Sequence, residues 1–261
     1  MKHKMLCDLH THTTFSHGKG SIEDNVRAAE SKGIRTIGIS DHGPDHILYG
    51  IKAGDIAKMR AEIERLKPIY PMVDILLGVE ANIMDPEGKL AITPEEFEDL
   101  DYVIAGYHFG VIAGRPFRHS ILHLANFVGL KTPAVKKANT DRVIAALHEN
   151  HICTLVHPGD KGVVDLTEVA KACAETGTLM EISTWHDALT IEGIRECARQ
   201  DVSFIISSDA HRPQRVGTFS GGLERAKKAG LDLSRIKNLG LTDYEDDGET
   251  PEGWSMKKWN L

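Results

Sequence analysis

Val202-Ser203-Phe204-Ile205-Ile206-Ser207-Ser208-Asp209-Ala210-His211 runs from an apolar strand straight into a carboxylate and an imidazole. Its centre, Phe204-Ile205-Ile206, is continuously apolar rather than alternating, the pattern of a strand covered on both faces. Six other short runs are β-branched or apolar, several of them continuously so, as in Ile75-Leu76-Leu77: Met5–Leu9, Thr36–Ser40, Ile75–Glu80, Tyr102–Gly106, Thr154–His157 and Leu179–Ser183. Helical stretches lie between them and have readable ends. Ser21 precedes Asp24 in a capping pattern and Gly33 closes that helix. Asp55–Lys67 stops at Pro68, Asp165–Thr176 at Gly177 and Phe219–Ala229 at Gly230, while Ile191–Gln200 leads into the last strand. The alternation predicts an α/β fold with a parallel sheet inside and helices outside. Periodicity alone leaves an open doubly wound sheet and a closed barrel equally open.

The ends of the strands carry the chemistry. The first run ends in Asp8-Leu9-His10-Thr11-His12, with His17 in the next loop, and the second in Ser40-Asp41-His42. The third reaches Glu80, the fourth Tyr107-His108, the fifth His157-Pro158 and the seventh Asp209-Ala210-His211. The sixth delivers no clear ligand, although Glu181 or Ser183 could reach. His10 and His12 stand two apart on an extended chain, so both can face one ion, and Asp209 and His211 repeat that spacing. In a parallel sheet every C-terminal strand end opens at one mouth, so these residues converge. Seven imidazoles and two carboxylates packed there would need partners, which metal ions supply. Imidazole and carboxylate without thiolate suit Zn²⁺, with manganese or iron as alternatives.

Composition narrows the partners. The chain has 261 residues, 41% hydrophobic and 26% charged, which is ordinary for a soluble globular protein. No apolar run approaches the ~18 residues of a membrane span, and Met1-Lys2-His3-Lys4 is not followed by a signal-peptide core. A cytoplasmic protein without membrane contact is expected. Lys and Arg total 31 against 38 Asp and Glu, a net charge of −7 that argues against long nucleic acid as a partner. Acids crowd the stretch Asp243 to Glu252, so residues 243–261 read as an acidic tail on a single domain of residues 1–242. Cys7, Cys153, Cys173 and Cys197 form no CxxC pair and read as buried thiols.

The blocks Asp8-Leu9-His10-Thr11-His12-Thr13, Ser40-Asp41-His42-Gly43, Gly78-Val79-Glu80-Ala81-Asn82, Ala105-Gly106-Tyr107-His108, His157-Pro158-Gly159 and Ser208-Asp209-Ala210-His211 resemble, in order, those of the PHP (polymerase and histidinol phosphatase) family. The likeness is to its small stand-alone bacterial phosphatases. It implies a distorted seven-stranded (β/α)7 barrel, TIM-like, with a trinuclear metal site at the strand C-termini. By the same resemblance His10, His12, Glu80 and Asp209 would hold one ion. Glu80 would bridge to a second completed by His108 and His157, and His17, His42 and His211 would hold a third. Asp8 and Asp41, just before ligands, are expected to orient imidazoles.

Such a site implies a phosphoesterase, above all one hydrolysing a phosphate monoester of a small metabolite by attack of a metal-bridging hydroxide. His46 or His186 is the expected leaving-group acid. Arg115, Arg118, Lys161, Arg212 and Arg215 are the candidate phosphate clamps. The competing readings are a nuclease or nucleotide phosphodiesterase of the same family, an amidohydrolase-type C–N hydrolase, and a metal-binding module without turnover.

Overall fold

The computed structural model describes residues 2–44, 46, 48–109 and 117–242. The chain opens with β1 (Lys2–Met5) and β2 (Cys7–Asp8), followed by α1 (Ile22–Ser31), β3 (Thr36–Ile39), α2 (Asp55–Leu66) and β4 (Asp74–Asn82). Next come α3 (Pro94–Glu98), β5 (Tyr102–Gly106), α4 (Phe117–Phe127), α5 (Pro133–Glu149) and β6 (Thr154–Leu155). The last part holds α6 (Leu166–Thr176), β7 (Leu179–Ser183), α7 (Ile191–Cys197), β8 (Phe204–Ser207), α8 (Ser220–Ala229) and β9 (Leu239–Thr242). Strands β2 to β8 form one seven-stranded sheet in chain order, every neighbouring pair parallel. The fold is a nearly closed parallel barrel with helices around it, as the α/β reading expected.

Local signals place the helices. The Ser21 hydroxyl accepts from the Asp24 amide while the Asp24 carboxylate accepts from the Ser21 amide, a capping box that starts α1. Asp165 caps α6, and Gly177 at φ 75° ends it in the left-handed conformation that glycine adopts without strain. Two apolar layers result. Cys7, Leu9, Tyr102, Ile104, Val156, Leu179 and Ile205 fill the barrel, and a larger cluster packs strands against helices. Tyr102 crosses the interior and donates its hydroxyl to the Leu9 carbonyl at 2.8 Å. Gly78 makes room for that ring, since a Cβ there would lie 2.4 Å from it.

Closure falls between the first and last strands of the barrel. At the mouth end Thr11 bridges Ala210, the His12 amide donates to the Ala210 carbonyl at 2.8 Å, and the Ala210 amide donates to His10 at 3.2 Å. Deeper in, the buried Asn238 side chain replaces a ladder. Its Nδ2 donates to the carbonyls of Cys7 (2.8 Å) and Ile206 (2.6 Å), and its Oδ1 accepts from the Ile206 amide (3.1 Å). Asn238→Ala orphans these backbone groups and is expected to destabilise the protein by about 2–4 kcal/mol, read as a lower urea midpoint at unchanged slope. A loss under ~1 kcal/mol would show that water substitutes for the amide.

Two expectations are corrected. The run Met5–Leu9 is not one strand: β1 leaves the barrel and pairs antiparallel with β9, Lys2 opposite Thr242 and Met5 opposite Leu239. The fifth run pairs only over Thr154–Leu155, and the chain then turns at His157. The tail 243–261 and Arg115 lie outside the described residues, as does the side chain of Arg118.

Candidate metal centre

All nine expected ligands meet at the mouth. Glu80 sits in the middle: its Oε1 lies 2.9 Å from His157 Nε2, 3.0 Å from His108 Nε2 and 3.4 Å from His10 Nε2. Its Oε2 lies 2.9 Å from His42 Nδ1 and 3.5 Å from His12 Nε2. Asp209 Oδ1 stands 3.3 Å from His12 Nε2 and 3.6 Å from His10 Nε2. The rings of His17 and His211 are 4.2 Å apart, and His17 is 4.9 Å from His42. In this last group the atoms within 4.8 Å of one another come from His12, His42 and His211, with His17 beside them.

These residues fit divalent ions. His10 Nε2, both nitrogens of His12, His17 Nδ1, His42 Nδ1, Glu80 Oε2 and Asp209 Oδ1 are buried without a hydrogen-bond partner. That many orphaned atoms in one place would cost several kcal/mol unless something binds them. Ligands on one tetrahedral ion at ~2.0–2.1 Å sit roughly 3.3 Å apart, the spacing seen between Glu80, Asp209 and the imidazoles. The backbone is shaped for the task. His157 (φ 28°) and Asp209 (φ 48°) are the only described non-glycine residues with positive φ, a conformation held only where surroundings over-determine it. Gly106 clears the floor, because a Cβ there would lie 3.0 Å from His157 Cε1 and 3.3 Å from His108 Cε1.

The electrostatics follow from burial and crowding. Burial pushes the Glu80 carboxyl upward, but the surrounding imidazoles, His108 first, hold it well below the usual range. Asp209 is likewise held low by His10 and His12 against its burial. Burial lowers His12, takes His17 down to about 3 and His108 to about 4, so these rings are neutral and able to ligate. His10 goes the other way: burial opposes its charge, and Asp209, Glu181 and Glu80 outweigh it.

The groups that orient the imidazoles are not the expected ones. Asp8 accepts from the backbone amides of Ser208 (3.1 Å) and Gly217 (2.8 Å), and Asp41 from the Thr13 amide and the hydroxyls of Thr13 and Ser16. Both brace loops, and neither is hydrogen-bonded to an imidazole among the described residues. For Asp8 the reason is strand parity: Cys7 and Leu9 point into the barrel, so Asp8 points out, and β2 ends before His10. Instead His10 donates Nδ1–H to Glu181 Oε1 at 2.7 Å, His108 to Asn82 Oδ1 at 2.6 Å, and His211 to the Asp209 carbonyl at 3.0 Å. Each ring is thereby left with Nε2 facing the centre. Glu181 also accepts from the His157 amide at 2.8 Å. Its signal was a carboxylate inside the apolar run Leu179-Met180-Glu181-Ile182, which demands a buried partner. Glu181→Ala is expected to weaken metal binding or activity by roughly 10–100-fold, measured as metal retained on dialysis; full retention would refute the orienting role.

The remaining candidates scatter. His186 sits at the rim, Nε2 3.1 Å from Asp209 Oδ2 and Nδ1 3.2 Å from Asp160 Oδ2. Burial lowers its pKa, but Asp160 and Asp209 raise it further, to about 9. His46 is buried under Tyr49, rings 3.6 Å apart, and burial takes it down to about 4. Lys161 pairs with Asp160 at 2.5 Å, and Arg215 lies over the Trp185 ring at 4.5 Å. Arg212 opens onto a groove of about 710 Å³ shared with Lys19, Arg27 and Lys32. No helix among the described residues is long and apolar enough to cross a membrane.

Known proteins share this frame. A sequence profile of the PHP domain matches residues 8–191. A relative named "probable phosphatase" from Acetivibrio thermocellus is 26% identical over 253 residues, covering 93% of this chain and 95% of that one. The probable phosphatase YcdX of Escherichia fergusonii is 28% identical over 264 residues, covering 94% and 96%. Among solved structures, histidinol phosphate phosphatase from Lactococcus lactis, complexed with zinc, L-histidinol and phosphate, superposes with a TM-score of 0.57 at 16% identity, covering 87% of this chain and 95% of that one. At that identity the likeness is one of fold.

Proposed function

This chain belongs to the PHP domain family, and from that premise we propose that it is a phosphatase acting on a phosphate monoester of a small metabolite through divalent ions held at its mouth. The observation that supports the reading best is the gathering of nine unsatisfied or closely opposed ligand groups at one mouth, in overlapping clusters. Three ions would account for them: His10, His12, Glu80 and Asp209 would hold one, Glu80, His108 and His157 a second, and His17, His42 and His211 a third, with His12 also in reach of the last. Zinc suits the donor set first, manganese or iron next. Divalent ions there supply Lewis-acid chemistry, activating water and neutralising phosphate charge.

The chain's own residues do the rest. Glu80 and Asp209 bring two negative charges, so three divalent ions would leave the mouth with a net positive charge that favours a dianion. Glu181 and Asn82 hold His10 and His108 in the tautomer that points Nε2 at the centre. His186 is the leaving-group acid in preference to His46, because it stands at the open rim beside Asp209 while His46 is sealed beneath Tyr49. His186→Asn should lower kcat by roughly 10²-fold or more for alkyl phosphates. It should matter far less for 4-nitrophenyl phosphate, whose leaving group departs without a proton. Equal losses on both would remove His186 from that role.

The deciding experiment measures metal per chain on freshly purified protein, with 4-nitrophenyl phosphate and bis(4-nitrophenyl) phosphate hydrolysis on the same sample. About three transition-metal ions with monoester turnover abolished by His10→Ala is the expected result. Dominant diester turnover would move the assignment to a phosphodiesterase or nuclease. Absence of bound metal after reconstitution would overturn the metal centre.

A further inference from the structure

Trp185 stands beside the candidate metal centre. Half of its surface is exposed, yet its backbone is held tightly: the Ser183 hydroxyl accepts from the amides of both Trp185 and His186 at 3.1 Å. The Arg215 guanidinium covers one side of the indole at 4.5 Å from its centroid and reaches the Thr184 carbonyl at 3.5 Å. The ring lies beside His211, centroids 5.9 Å apart and planes 29° from parallel. Among the described residues it is the one exposed large apolar side chain in ring contact with a candidate ligand. A braced indole left half open beside a candidate ligand offers a flat, pre-ordered apolar surface to whatever group enters the mouth.

We infer that Trp185 is a stacking platform for the leaving group, so that the substrate class is phosphate monoesters of planar aromatic or heteroaromatic alcohols; this rests on the phosphatase reading. A phosphate seated on the imidazole–carboxylate cluster projects its ester group outward past His211 and His186, where the indole stands. Arg215 holds one side of the ring, His211 lies against part of it, and the exposed remainder accepts a second flat surface. An alkyl group of the same size would gain burial there but no stacking.

The test uses the metal-loaded full chain and two probes that are not hydrolysed, phenylphosphonate and methylphosphonate, titrated by calorimetry. Phenylphosphonate should bind roughly tenfold tighter or better. Trp185→Ala should erase that preference while leaving methylphosphonate affinity in place, and Trp185→Phe should keep most of it. In turnover, Trp185→Ala should raise KM for phenyl phosphate with little change in kcat, and leave KM for glycerol phosphate unmoved. A preference that survives Trp185→Ala overturns the platform. So does equal weakening of both phosphonates, which would make Trp185 a prop for Arg215. If neither phosphonate binds and no monoester is turned over, the phosphatase reading fails and the platform with it; methylphosphonate binding separates the two failures.

Discussion

Glu80→Gln is expected to strip the bound metal and to cut monoester turnover by about 10³-fold or more, while the barrel stays folded. Among the described residues Glu80 is the one carboxylate within 3.5 Å of five imidazoles, those of His10, His12, His42, His108 and His157. Glutamine keeps its shape and therefore its packing. It removes a unit of negative charge from a fully buried position and turns an NH₂ group toward nitrogens that must offer lone pairs. Metal ligation supplies several kcal/mol of transition-state stabilisation, hence the thousandfold scale. Elemental analysis and kcat/KM on the same preparation check it. A variant that retains its metal and works within tenfold of the parent would remove Glu80 from the centre.

Chelation should lower the thermal midpoint on the order of 10 °C. A ligand at ~1,000 times its Kd stabilises by ~4 kcal/mol, and a chain of this size shifts roughly 2–4 °C per kcal/mol. The metal-free protein should also be acid-sensitive, for a reason that fixes the sign. Burial holds His17 at about 3, His46 and His108 at about 4, and His12 well below its ordinary value. An unfolded imidazole titrates near ~6.5, so between pH ~6.5 and ~4 the unfolded chain takes up protons that the native one refuses. Stability is therefore lost as pH falls through that window. His10, raised well above its ordinary value, and His186, at about 9, act oppositely: their stabilisation is present below ~6.5 and fades as pH rises. Protons compete with metal for the same nitrogens, so the loaded protein should lose its metal over the same acid range. Melting curves from pH 4 to 8, with and without chelator, test both statements; a midpoint indifferent to chelator would contradict the centre's structural role.

Much of this was readable before any coordinates. His10, His12, His42, Glu80, His108, His157, Asp209 and His211 were identified from their places at strand ends, and the structure brings them together with His17. Capping at Ser21 and the stop at Gly177 also stood where local chemistry put them. Other features were not readable. β1 and β9 pair across almost the whole length of the chain, and neither run announces a partner so distant. Asn238, an unremarkable polar residue in the sequence, closes the barrel because the backbone groups of Cys7 and Ile206 are left without a ladder there.

The sequence by itself determined the strand polarity and the ligand chemistry, and these suffice to gather the centre: parallel strands end at one mouth whatever their detailed packing. Only the tertiary structure decided which polar groups stand behind the ligands. Asp8 and Asp41 were the natural choice by proximity along the chain, yet they brace loops, while Glu181 and Asn82, from other strands, hold His10 and His108. Orientation depends on which face a side chain takes where a strand ends, and on what lies across the barrel from it. Both are properties of packing, and one-dimensional spacing does not carry them.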